Sequence, residues 1–326
     1  MVAEKTKSRL LIHIEYFLIL IPIVVVRALP LKVAYGLSYI LSIMFYYIDF
    51  RHKERAMQHI LHSGIVSDRK AAAALARRNF LHFGRVAVEI AKSHQIVNEK
   101  NSLEFIKQET GPELTKVCFA PETRGPVIIV TCHLGNWELA GKAYSWLSGM
   151  RMTSIMRELG NPKLGDIIYA HREGLGHSTV SKNKGMKPLM MALKRGESVA
   201  IVADQHASTS EGVGVEFFGH PARAHSTPAL LHLKTDVPII VGALLKTGNS
   251  FQFAFRGDEV IRYTPTGDKD NDIKAITQTY TSALEALIRK YPDQWMWAHR
   301  RWLNINRNRK NKKKEISHEQ KSANPA

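Results

Sequence analysis

The sequence predicts an α/β protein: a mixed, largely parallel central sheet flanked by helices, preceded by an apolar, helical membrane anchor. Three observations carry this. From Val127 onward, short apolar runs alternate with helix-like segments, as in strand–helix units on a parallel sheet. Two of these runs, ending at Cys132 and at Ala203, lead directly to polar residues of catalytic type, His133 and Asp204, and ligand crevices in open α/β sheets lie beyond the carboxyl ends of strands. The first fifty residues are strongly apolar.

With 326 residues, 44% of them hydrophobic, the chain can bury a substantial core, which excludes disorder as the default. The 46 Lys and Arg against 29 Asp and Glu give a net charge of +17, favouring an anionic partner: membrane headgroups, an acidic protein or nucleic acid. Charge alone does not choose among them. Cys118 and Cys132 are too few for a disulfide scaffold and lack metal-ligand spacing, which fits a reducing, cytoplasmic-side environment.

Lys5, Lys7 and Arg9 precede an apolar run from Leu10 to Val26, interrupted by His13 and Glu15. Arg27-Ala28-Leu29-Pro30 is a poor signal-peptide cleavage site. The uncharged core is short for a full span of roughly 17 to 25 residues, and Pro22 would kink it. An uncleaved membrane anchor is the favoured reading, an interfacial helix the alternative and a buried core helix the bland one. Ala34–Ile48 is a second apolar segment, so residues 1–50 read as one membrane-associating unit. Residues 51–305 form the next unit, and 306–326 a basic, disordered tail.

From Arg51 to Lys92 the periodicity is that of amphipathic helices, with Phe80, Phe83, Val86 and Ile90 on an apolar face and Arg77, Arg78 and Arg85 on a solvated one. Asn98–Glu122 is polar and predicts no regular structure beyond a turn at Gly111-Pro112. Val127–Glu138 then reads as a buried strand, a polar turn and a helix start. On a continuous helix His133 and Glu138 would point about 140° apart, so they meet only if His133 lies in the loop and Glu138 in the first helical turn.

Beyond it the pattern predicts strands at Met152–Met156, Thr179-Val180, Ser198–Ala203 and Val237–Leu245, and helices at Asn161–Arg172, Pro188–Lys194, Thr227–Lys234 and Asp272–Lys290. Phe251–Phe255 and Glu259–Tyr263 are expected to pair as a hairpin. Gly212-Val213-Gly214 lacks the rest of a dinucleotide fingerprint and is read as turn punctuation. The chain closes with Trp295–Trp302, which suits an interface or a phosphate-bearing ligand but equally a core-sealing segment. The tail Arg307–Lys314 suits anionic lipid, or serves only as a solubilising tail.

No serine stands in a GxSxG elbow, and Cys132, next to His133, points to the opposite side of the strand, so a nucleophilic dyad is disfavoured. The 15 histidines, His171, His177, His206, His220 and His225 among them, form no familiar metal-ligand spacing, so no metal is expected, and most of these are taken as loop or surface residues. General-base catalysis remains: His133 takes a proton from an acceptor hydroxyl, Glu138 orients the ring, and the oxygen attacks an acyl carbon with no covalent enzyme intermediate.

His133–Glu138 is an HxxxxE motif, and it resembles the HxxxxD box of glycerolipid acyltransferases in the form seen in the lipid A biosynthesis (lauroyl and myristoyl) acyltransferases. The resemblance continues through Ile155-Met156-Arg157-Glu158, Asn161-Pro162, His171-Arg172-Glu173-Gly174, Val202-Ala203-Asp204-Gln205, Phe217-Phe218-Gly219 and Tyr291–Trp302, in the family's order. It implies transfer of a fatty acyl chain from an acyl carrier protein thioester to a hydroxyl of a phosphorylated glycolipid, at the cytoplasmic face of the inner membrane. No cofactor is implied beyond the carrier's phosphopantetheine, and no nucleic acid partner. Carried over by position, His133 and Glu138 are the catalytic pair, and Arg157, Arg172 and Asp204 belong to the substrate-binding part. An acidic carrier and an anionic bilayer both account for the excess positive charge. Departures at His206–Gly214 and Gln58-His59 leave the acceptor open between lipid A and another hydroxylated lipid such as a phosphatidylinositol mannoside; a membrane-associated thioesterase is the alternative from a different class.

Overall fold

The structure is a computed structural model that describes residues 8–173 and 176–303. The apolar start forms α1 (Arg9–Ala28) and α2 (Leu31–Ile48), separated at Pro30, which lacks the N–H that would continue the first helix. Both are long and apolar enough to cross a membrane, with mean hydropathies of 2.2 and 1.4. The first buries no residue, whereas α2 buries Ala34, Ser38, Ser42 and Tyr46, one face of a helix at four-residue spacing. This face meets α4 (Arg69–Ile96) so closely that a Cβ on Gly84 would fall 1.9 Å from Ser42 Oγ. Between them, α3 (Phe50–His62) starts at Asp49, whose side chain accepts from the His52 N–H.

The segment expected to be irregular contains a short helix α5 (Ser102–Phe105), β1 (Ile106–Thr110) and α6 (Pro112–Cys118). β1 is an edge strand that buries Ile106 and leaves Lys107, Gln108 and Glu109 exposed, so its composition carries no apolar signal. Then follow β2 (Ile128–Thr131), α7 (Trp137–Ser148), β3 (Met152–Met156), α8 (Pro162–Arg172), β4 (His177–Ser181), α9 (Lys187–Lys194) and β5 (Ser198–Val202). After β6 (Gly212–Phe217) and β7 (His220–His225) come α10 (Thr227–Thr235), β8 (Ile239–Lys246), β9 (Phe253–Ile261) and α11 (Lys269–Lys290).

Seven strands form one sheet in the order β1-β9-β8-β2-β5-β3-β4, parallel except where β9 meets β8. The predicted hairpin within 251–263 is instead the single strand β9, antiparallel to β8. Gly257 misleads here: a Cβ on it would fall 2.3 Å from Val241 O, so it marks close backbone approach beside the register shift between Val241 and Ala243. Gly212-Val213-Gly214 is likewise a strand, not a turn, in the antiparallel ribbon β6/β7.

Alternation along the buried strand β2 divides the core between the faces of the sheet. Ile128, Val130 and Cys132 join the cluster under α3, α9, α10 and α11, while Val127 and Ile129 join Tyr144, Phe253 and Phe255. Cys132 is therefore on the face away from α7, as its position next to His133 implied.

The turn after β2 rests on a buried ion pair. Lys246 Nζ lies 2.6 Å from Glu89 Oε1; Glu89 also accepts from Tyr35 and from Asn136, the cap of α7. Gly135 has φ of 65°, and a Cβ there would stand 2.1 Å from Leu244 O, so only glycine fits. Lys246→Ala should cost about 3–5 kcal/mol by leaving Glu89 buried without its partner. Chemical denaturation checks this; an unchanged unfolding free energy would contradict the pair's role.

Candidate active site

Thr131 on β2 lies opposite Val202 on β5, so His133 and Asp204, each two residues further, meet just beyond the carboxyl ends of neighbouring parallel strands. His133 Nδ1 is 2.8 Å from Asp204 Oδ1, and the His133 backbone N–H donates to Oδ2 over 2.9 Å. Trp295 Nε1 donates to the same oxygen over 2.8 Å. Three donors thus fix a carboxylate that has almost no exposure.

Burial alone would raise the Asp204 pKa, but the charge and hydrogen bonds of His133, with the Trp295 bond, hold it well below the usual carboxylate range. Ionised Asp204 accepts a hydrogen bond from Nδ1–H, leaving Nε2 as the basic nitrogen. Burial of His133 disfavours its cation, yet Asp204, with a smaller contribution from Glu138, reverses this and raises its pKa above the ordinary value. Trp137 and His299 flank the ring at centroid distances of 5.2 and 4.7 Å.

Glu138 occupies the first turn of α7, as expected, but does not orient His133. It forms a two-pronged bond with Arg172, Nε to Oε2 at 2.8 Å and Nη2 to Oε1 at 2.6 Å, and accepts from Trp137 Nε1. Burial opposes its ionisation, but Arg172 outweighs burial and lowers its pKa. The carboxylate that orients the ring is Asp204, expected only as a substrate-binding residue. Arg172 is expected to meet phosphate; its charge is already matched by Glu138. Arg157 is exposed just past β3 and, among the described residues, makes no hydrogen bond to this cluster.

Beneath Glu138 and Arg172 lies a mainly apolar cavity of about 50 Å³ against Ile129, Tyr144, Met152 and Phe255. His177, expected at the surface, is buried on β4 beside it and kept neutral by burial, its pKa lowered to about 4. No group of His, Cys, Asp or Glu able to hold a metal occurs among the described residues.

The tryptophan segment seals this end of the core: Trp295, Trp297 and Trp302 are buried. It also forms the wall of the site, since Met296 N–H donates to His133 O and Gly135 N–H to Gln294 O. Asn79 donates to the Asp293 and Trp295 carbonyls, and His59 Nδ1 lies 3.0 Å from Trp297 O, which ties the segment to α4 and α3. The roles of Trp295 and His299 are absent from the sequence reading. The equal offset of His133 and Asp204 from their strand ends is the signal that could have paired them. The tail Arg307–Lys314 lies outside the described residues.

A family model described as bacterial lipid A biosynthesis acyltransferase matches residues 2–304. Two curated relatives, from the CDC 1551 / Oshkosh and H37Rv strains of Mycobacterium tuberculosis, are both named phosphatidylinositol mannoside acyltransferase. Each is 29% identical over 182 residues, 54% of this chain and 54% of the relative. The chain thus aligns with about half the length of these relatives.

Asp204→Asn removes the charge that holds the His133 proton, so burial then outweighs the smaller contribution of Glu138 and the titration midpoint should fall below the ordinary 6.5. In the native protein the folded pKa lies above the unfolded one. The stability from this contact is therefore complete below about 6.5 and is lost as pH rises through the folded value. Histidine NMR titration of both proteins tests this; coincident His133 midpoints would contradict it.

Proposed function

Since the chain belongs to the bacterial lipid A biosynthesis acyltransferase family, we propose that it transfers a fatty acyl chain from an acyl carrier protein thioester to a hydroxyl of a phosphorylated glycolipid. The observation that carries this is the buried Asp204–His133 pair at the mouth of the sheet, with no serine or cysteine hydrogen-bonded to the histidine ring among the described residues. His133 Nε2 takes the hydroxyl proton while Asp204 holds Nδ1–H and stabilises the imidazolium. The acceptor oxygen then attacks the thioester carbon directly, and the imidazolium returns the proton to the departing thiolate. The N-terminus of α7, at Trp137 and Glu138, supplies a favourable dipole for the charge that develops on the carbonyl oxygen.

The Glu138–Arg172 pair sets the shape of the neighbouring wall. The cavity below it is far smaller than the roughly 300–1,000 Å³ of ordinary ligand pockets, so an acyl chain entering there must open the space under α7.

Membrane attachment through the N-terminal helices supports a lipid substrate. Leu10, Ile14, Phe17, Leu18, Ile21 and Val25 make an exposed apolar stripe on α1. Two of its polar residues, Glu15 and Arg27, face the body: Asn161 donates to Ile12 O and Glu15, and Arg27 Nε donates to Ala91 O. This favours a helix lying along the bilayer with the enzyme beneath it, which we place at the cytoplasmic face of the inner membrane. Asn161 caps α8, whose last residue is Arg172, so one helix connects the membrane side to the site. The mannoside acyltransferase relatives favour a phosphatidylinositol mannoside as the second candidate acceptor.

His133→Ala should slow acyl transfer by on the order of 10²–10⁴-fold. The wild-type kcat/KM should rise with pH through the His133 pKa, because the base must be neutral. Mass spectrometry of lipid products from a panel of acyl carrier thioesters and glycolipid acceptors tests both. Release of free fatty acid without acceptor, at the rate seen with it, would instead mark a hydrolase.

A further inference from the structure

Arg172, expected in the substrate-binding part, is neutralised by Glu138; a different group of cations lies beyond His299, which packs against His133. Two cavities of about 430 and 490 Å³ share His206 and Leu303. They run between α3, the loop after β5, the β6/β7 ribbon and the C-terminal segment. Their lining contains four arginines, Arg55, Arg223, Arg300 and Arg301, with five histidines and no Asp or Glu.

The arginines are held without a carboxylate among the lining residues. Arg301, 1% exposed, donates through Nη1 to the carbonyls of Gln205 and Arg223. Arg223 donates through Nη2 to the carbonyls of Thr209 and Gly212, and Arg55 through Nη1 to Ala298 O. Carbonyl bonds orient a guanidinium but leave its charge in place. Three buried donors on this lining, Nε of Arg223, Nε of Arg301 and Nε1 of Trp302, have no hydrogen-bond partner among the described residues. Burial lowers the Arg301 pKa to about 10, which still leaves it charged at neutral pH. Unmatched cations and unsatisfied donors around one ligand-sized space need an anion. The groove reaches the reacting centre, because His299 on its wall lies against His133.

We propose that this groove is a phosphate subsite, built on Arg223 and Arg301 and extended by Arg55 and Arg300, that holds the phosphate of a substrate whose reacting group lies at His133. The assignment to a substrate rests on the acyl-transfer reading; the anion site does not. Two phosphates have the right chemistry: the phosphopantetheine phosphate of the donor and a phosphate on the glycolipid acceptor.

The test begins without turnover. The full-length protein in detergent is melted in inorganic phosphate and in pyrophosphate, against chloride at matched ionic strength. Phosphate should raise the wild-type midpoint, and Arg223→Gln and Arg300→Gln should each weaken phosphate binding at least tenfold. Lys107→Gln, on the far edge strand, should leave it unchanged. Arg301→Lys, which keeps a charge while breaking the fork, covers the risk that a neutral residue there fails to fold. No phosphate-dependent shift in the wild type, or a shift retained in both glutamine variants, overturns the site.

Kinetics then separates the sources. If the donor is held, Arg223→Gln raises the KM for an acyl-phosphopantetheine substrate but not for the acyl-pantetheine that lacks the phosphate. If the acceptor is held, KM rises for the phosphorylated acceptor and not for its dephosphorylated form. Unchanged KM values for all four overturn the substrate role while leaving phosphate binding intact. Absence of any acyl transfer by the wild type would count against the reaction, not against the groove.

Discussion

The carboxylate of Asp204 is the constraint on which the site depends. A charge with 1% side-chain exposure is tolerated only when donors replace the water it has lost. Here those donors come from three places: the ring and backbone of His133 after β2, and the indole of Trp295 near the C-terminus. The register of β2 against β5 brings the first two within reach; the docking of the last described segment brings the third. The basicity of His133 and the burial of the tryptophans are consequently one arrangement seen from two ends. Loosening the tryptophan segment would admit water to Asp204 and remove part of what sets the His133 pKa.

The second support is independent of the first and lies under the turn. Asn136 caps α7, donates its amide to Leu244 O and its side chain to Glu89, which is itself paired with Lys246. Helix α4 therefore carries, through Glu89 and Asn79, contacts that set both the turn and the tryptophan wall. Because α2 is packed tightly on α4 at Gly84, the N-terminal apolar unit is joined mechanically to the helix that positions the site.

The sheet, its helices and the polar turn after β2 were legible because buried parallel strands write long apolar runs. The readings that failed share a physical cause. β1 is an exposed edge strand with polar residues, and the ribbon β6/β7 carries Gly212, Gly214 and Pro221 in a strand packed on one side only, so neither shows strand periodicity. Gly257 signals a turn in sequence and a close backbone crossing in space. The exchange of roles between Glu138 and Asp204 was invisible for a different reason. Glu138 is five residues from His133 and Asp204 seventy-one, and only the register between strands makes the distant carboxylate the near one. Composition also hides how charge is partitioned: Arg172 and Arg301 look alike in sequence, but one faces a carboxylate and the other faces carbonyls.

That partition explains how the site can hold a buried base. With His133 neutral, Asp204 and Glu138 each contribute one negative charge and Arg172 one positive, so the cluster carries −1. In the proposed reaction, proton uptake by His133 would bring the cluster to zero, so the separated charge would be balanced where it forms. Had Arg172 been unpaired, the cluster would already be more positive and proton uptake would be opposed. Had Glu138 stood without Arg172, it would stabilise the imidazolium further. The Glu138–Arg172 pair adds no net charge, so Asp204 dominates the balance, and the arginines of the proposed phosphate groove stand outside the cluster, beyond His299.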